Sequence, residues 1–290
     1  MPMDRVYQPG AAFARIPPEA FFITSALFHY IGPAFAVLLF AHVGPLGVAW
    51  LRIGSAALIF ALWQRPWRLL REVGAAERRR IFALGAVLAA MNVTFYLALA
   101  RLPLATVGAI EFLGPIALAA FGLRGARNTV ALALGTVGVY WLIDIRIEGA
   151  PLGYLFAFAN CVLFVLYIVL GHRIAADGGA RGVQRLAAAM LVAAVVAFPV
   201  GIGEALPALR NPAWLAAGIG VGLCSSVIPY ILDQLAMARL PRATFALMLT
   251  LLPATATVVG MLVLGQIPSH RESLGIALVI VAVALHRRRS

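Results

Sequence analysis

The chain has no lysine, only two cysteines and few charges of either sign, 12% of its 290 residues. A soluble domain averages about 25% charged residues, so this scarcity excludes an ordinary globular protein. Cys161 and Cys224 both fall inside apolar runs, which argues against a disulfide framework and leaves them as small packing residues. Without lysine there is no GxxxxGK[ST] phosphate loop, so ATP is not the direct energy source. HExxH, GxSxG and paired-carboxylate motifs are missing too, which weakens the case for a membrane-embedded enzyme. No cofactor and no metal is called for.

What the chain has in abundance is apolar residues, 63% of the total. They gather into runs of roughly 20, the length that crosses a hydrocarbon core of ~30 Å. Ten are expected: 19–41, 45–63, 81–100, 103–123, 128–144, 151–171, 184–203, 213–238, 241–264 and 270–286. In lipid every backbone group must be bonded internally, and the alternation of a transmembrane barrel is absent, so the runs read as helices. The fold class is an all-α integral membrane protein. The first run is too long, and its prefix too untypical, for a signal peptide, so it reads as a retained helix.

The net charge of +12 comes from arginine alone. With the N-terminus placed inside, the cytoplasmic segments hold 18 arginines, among them those of "RPWRLLREVGAAERRR" (65–80) and "RRR" (287–289), together with Arg173, Arg181 and Arg185. The outside connectors hold four: Arg101, Arg146, Arg210 and Arg271. This bias follows the positive-inside rule and puts both termini in the cytoplasm of a bacterial-type inner membrane. Nucleic-acid binding is not needed to explain it. The expected partners are the lipid bilayer, a small-molecule substrate and protons; the oligomeric state is left open.

Residues 98–106, "ALARLPLAT", return as "AMARLPRAT" at 236–244, and the same 138-residue offset carries Pro115 onto Pro253. Each copy is a turn between two apolar runs, with proline opening the next helix. Ten helices therefore divide into five plus five: an N-terminal segment (1–18), a first repeat (19–144), a second repeat (145–286) and a basic tail (287–290). Because five is odd, the second repeat enters the membrane inverted, the arrangement from which many secondary transporters build alternating access.

Together, "GVAWLRIGSAALIFALWQRPWR" (47–68), "MNVTFYLALARLPLATVGAIEFLGPIALA" (91–119) and "IPYILDQLAMARLPRATF" (228–245) resemble the drug/metabolite transporter superfamily. The resemblance is to its EamA-type, two-repeat members, and within them to the threonine/homoserine exporter branch. It implies secondary export of amino acids or related small metabolites. The alternatives are a permease for drugs or other solutes or, from another class, a membrane-embedded enzyme or scaffold. One departure is visible in "LTLLPATATVVGMLVLGQ" (249–266). Leu252 and Gln266 stand where such exporters often carry acids.

Candidate site residues are the polar side chains at membrane depth. At 1.5 Å per helical residue, Glu111 and Asn92 both lie about 12 Å from the outer ends of their runs, with Arg52, Asn160 and His29 near the same level. A charge facing lipid at mid-depth costs about 2.5–3.5 kcal/mol on insertion scales, so these groups are expected to face a cavity or one another. Helical spacing adds Tyr96 to Asn92, Tyr167 to Asn160, and aligns Ser226, Tyr230 and Asp233. Arg52 either snorkels outward or pairs with Glu111. Asp233, six residues from Arg239, suits the cytoplasmic interface as well as it suits substrate. Prolines inside the runs (Pro33, Pro115, Pro229, Pro253) free carbonyls that can bind substrate or ease bending. Glu111 falls opposite Leu249 in the repeat, so the fold itself does not require an acid there. Its expected role is to hold an amino-acid ammonium group or to exchange a proton for substrate.

Overall fold

The computed structural model describes residues 16–102, 104–122, 125–142, 151–176, 179–249, 251–252, 255 and 269–285. All regular structure among them is helical. Proline sets many of the starting points, because a helix's first turn does not need its missing N–H. Helix α1 (Pro18–Leu39), α2 (Pro45–Gln64), the short α3 (Pro66–Glu72), α7 (Pro151–Ala175) and α9 (Pro212–Gly222) all open on one. The others are α4 (Ala75–Leu99), α5 (Leu104–Gly122), α6 (Ala126–Leu142), α8 (Gly179–Arg210), α10 (Ile228–Met237), α11 (Arg242–Met248) and α12 (His270–Leu285).

Among the described residues, five stretches are long and apolar enough to cross a membrane: α2, α4, α7, most of α8, and the continuous segment from Pro212 to Met237. The exterior agrees with a lipid setting. Large apolar side chains are exposed along several helices, Leu62 at 75% and Val195 at 67% among them, an exterior that suits lipid better than water. Helices α2 and α8 pack together, as do α6 and α12, α4 and α7, α5 and α11, and α1 and α10. The main core lies where α1, α2, α4, α7, α8 and α10 meet, around Phe22, Phe60, Leu84, Leu88, Ile168 and Leu186.

The helices differ from the expected runs at four places. Residues 66–72 form a helix inside the basic connector. Helix α4 begins at Ala75 and α8 spans Gly179–Arg210, both longer than their apolar runs. The extra turn of α4 carries Glu77, which is paired: Arg185 of α8, counted above as a connector arginine, is buried and bonded to Glu77 and to the carbonyl of Ile174. The eighth run is interrupted by a π turn, Leu223–Val227. Half of the ninth run lies outside the described residues, as do Pro253, Gln266 and both termini.

Close approach between helices depends on small residues. At Gly85 of α4 a Cβ would sit 2.7 Å from the Ala189 carbonyl oxygen and from Val192 of α8. At Gly222 it would sit 2.8 Å from the Arg52 carbonyl oxygen, so only glycine lets α9 lie against the turn that carries Arg52.

Candidate functional site

Arg52 reaches from α2 into the π turn. Its Nε donates to Ser226 Oγ at 2.8 Å and its Nη2 donates to the Ser225 carbonyl at 2.7 Å and to the Tyr230 hydroxyl at 3.4 Å. The local sequence makes this acceptor available. Pro229 has no N–H to offer the carbonyl four residues back, which is that of Ser225. A π turn then brings Ser225 and Ser226 together toward the guanidinium, a use of such turns that recurs at functional sites. The Tyr96 ring lies 6.0 Å from the guanidinium carbon, within cation–π range. Arg52 is only 7% exposed. Three neutral oxygens therefore share a full positive charge, and none of them supplies the compensating negative one.

Glu111 is elsewhere in the layer. Its Oε1 accepts from Asn160 Nδ2 at 2.8 Å, joining α5 to α7. Among the described residues it forms no ion pair with Arg52, although the two are close enough to feel each other's charge. The expectation of outward snorkelling by Arg52 is corrected: its acceptors lie on the π turn, inside the bundle.

A third group centres on Asp233, which is 2% exposed. Ser25 Oγ donates to its Oδ1 at 2.6 Å and Tyr167 donates to its Oδ2 at 3.2 Å, so α1, α7 and α10 meet at one carboxylate. This corrects the interfacial reading: Asp233 is a core residue, and Arg239 turns instead to the carbonyl of Ile16 and the ring of Phe21. The Tyr167 and Tyr230 rings, 5.5 Å apart, connect this group to Arg52.

The remaining candidates fill the space between. Asn92 is buried and donates to Leu88's carbonyl one turn back, so one end of its amide is spent within its own helix. His29 is half-buried with its ring 6.4 Å from that of Tyr230. Of the eight buried side-chain atoms without a hydrogen-bond partner among the described residues, four belong to this layer: Tyr96 Oη, Ser225 Oγ, His29 Nδ1 and Asn160 Oδ1. Such atoms are rare in native interiors and point to a polar occupant.

The structure thus brings Arg52, Ser226, Tyr230 and Tyr96 together, Glu111 with Asn160, and Asp233 with Tyr167. Two further residues escaped the sequence reading. Ser25 is one turn before His29 on the same face of α1, and Ser225 is four residues before Pro229; both spacings are visible in the sequence. The same interval recurs across the layer. His29 precedes Pro33, and Glu111 precedes Pro115, by four residues each.

Comparison with known proteins bears on what such a layer serves. The threonine/homoserine exporter RhtA of Escherichia coli K12 is 32% identical over 254 residues, 87% of this chain and 84% of its own length. The RhtA of Salmonella typhimurium LT2 matches over the same shares at the same identity. The profile of the EamA-like transporter family matches residues 151–287. The chain belongs to the EamA-like transporter family. One solved crystal structure, 20% identical, superposes with a TM-score of 0.69 over 92% of this chain and 96% of its own, which establishes a shared fold. This EamA-like chain is therefore a transporter resembling RhtA, multi-pass and membrane-embedded, with its polar layer enclosed by apolar helices.

Proposed function

We propose that the protein is a secondary exporter of threonine- or homoserine-like amino acids across the inner membrane, working by alternating access between two inverted five-helix repeats. The observation behind it is a buried cation and a nearby carboxylate that share one layer without pairing with each other. A zwitterion supplies what each lacks: its carboxylate meets the Arg52 fork and its ammonium meets Glu111. An inorganic ion would satisfy only one of them. The unpartnered Tyr96 and Ser225 hydroxyls suit a short polar side chain such as that of threonine. The RhtA relatives, named for threonine and homoserine, point to the same substrate class.

Support for the inverted repeat comes from the helix pairings. Exchanging each helix of one half for its counterpart returns α2–α8, α5–α11 and α6–α12 to themselves and turns α4–α7 into the pairing of α10 with α1. The 138-residue offset also relates Asn92 to Tyr230 and Tyr96 to Gln234, all four of them buried.

Purified protein in proteoliposomes tests the reading. Labelled threonine or homoserine should exchange across the membrane faster than in protein-free vesicles, and excess unlabelled amino acid should compete. Movement of cationic drugs but no amino acid would favour the other-solute permease.

A further inference from the structure

We propose that Asp233 is the proton-carrying group that couples this export to the proton gradient, and that Ser25 is its switchable partner. The inference rests on the exporter reading and assigns coupling to a site apart from Arg52 and Glu111.

A residue that carries a proton through a buried site must be hydrogen-bonded both with and without it, since a buried polar group left unsatisfied is costly. The surroundings of Asp233 meet that condition. When charged, the carboxylate accepts from Ser25 and from Tyr167. Ser25 Oγ also lies 3.2 Å from the Pro229 carbonyl oxygen. A hydroxyl has one hydrogen, so only one of the two acceptors receives it at a time. When Asp233 takes a proton on Oδ1, that O–H donates to Ser25 Oγ and Ser25 turns its hydrogen to Pro229. Oδ1 and Oγ stay bonded in both states with the direction of donation reversed, and the Pro229 carbonyl gains the Ser25 hydrogen that Asp233 gave up.

The electrostatic setting suits a group that titrates rather than one locked in an ion pair. Among the described residues no basic side chain pairs with Asp233. The groups that face it are Tyr167 from α7 and Ser25 from α1, with Tyr230 on its own helix. His29 of α1 and Arg52 of α2 lie beyond Tyr230, and Arg185 of α8 is bonded to Glu77 and Ile174. The repeat counterpart of Asp233 is Phe95, so the acid stands in one half only. Ser25 and Asp233 also tie α1 to α10 and, through Tyr167, to α7. Reversing the Ser25 bond therefore changes a contact between the two halves.

The test uses full-length protein in proteoliposomes, with labelled threonine and homoserine as probes. Asp233→Asn is expected to lower transport driven by an imposed pH gradient at least tenfold relative to its own exchange between equal internal and external amino acid. It should release no proton on substrate addition in weakly buffered solution. Undiminished pH-driven transport by the inserted variant would overturn the proposal. Ser25→Ala decides the case if Asp233→Asn fails to insert: a displaced pH profile supports the proposal and an unchanged profile overturns it. If the natural protein moves neither amino acid, the exporter reading fails first and is recognised by that result alone.

Discussion

Replacing Glu111 by glutamine keeps the side chain's length and an oxygen for Asn160, but removes the charge that would hold an ammonium group. Glu111→Gln is expected to insert normally and to lose threonine binding, read as the loss of a ligand-induced rise in Tm. Arg52→Lys tests the opposite pole. Lysine keeps the charge but not the fork that reaches Ser225 and Ser226 together. Losing one hydrogen bond to a charged group costs about 1.5–3 kcal/mol, so exchange should fall by roughly tenfold or more. Counting along the helices gives both residues a similar expected depth. It does not give their partners, because pairing depends on how far each helix is rotated about its axis. Arg52 faces α10 and the π turn, and no pattern within its own helix encodes that choice.

At the scale of helices, most boundaries could be read from apolar length and from the prolines that open the elements. The π turn could not, since its shifted bonding has no composition of its own beyond Pro229 four residues from Ser225. The extra turn of α4 was hidden for a related reason: Glu77 looks like a connector residue until it is seen to pair with Arg185. Gly85 gives a direct test of the α4–α8 seam. Gly85→Val would press on backbone and is expected to cost about 1–3 kcal/mol, seen as a lower Tm in detergent. At the opposite end of α8, Glu204 accepts from the Leu46 and Gly47 N–H groups, so an acid of one helix caps the start of another. Glu204→Gln is expected to lose about 0.3–1 kcal/mol of that end-to-end attraction. The measurement is again Tm, and its salt dependence should be smaller than that of the natural protein.

For the whole molecule, the arginine distribution predicts orientation. Reporter fusions after residue 290 and within 65–80 should report the cytoplasm, and one within 146–149 should report the outside. A C-terminus on the outer side would contradict the five-plus-five inverted scheme. The proposed two-half organisation starts from one nine-residue echo in the sequence. The exchange of helix pairings that supports it needed the packed structure, because a repeat in sequence does not say which helices touch.

The prolines have a mechanical consequence. His29, Glu111 and Ser225 each stand four residues before one, so each of their helices lacks a rung of its ladder at about the same level. A rod is most compliant where a rung is missing, and here the compliant sections lie in one plane. A bend of about 10° there, with a lever arm of about 12 Å, swings a helix end by about 2 Å. Whatever occupies the polar layer would act as a splint across that plane, stiffening the hinge it sits in and leaving it pliant on departure.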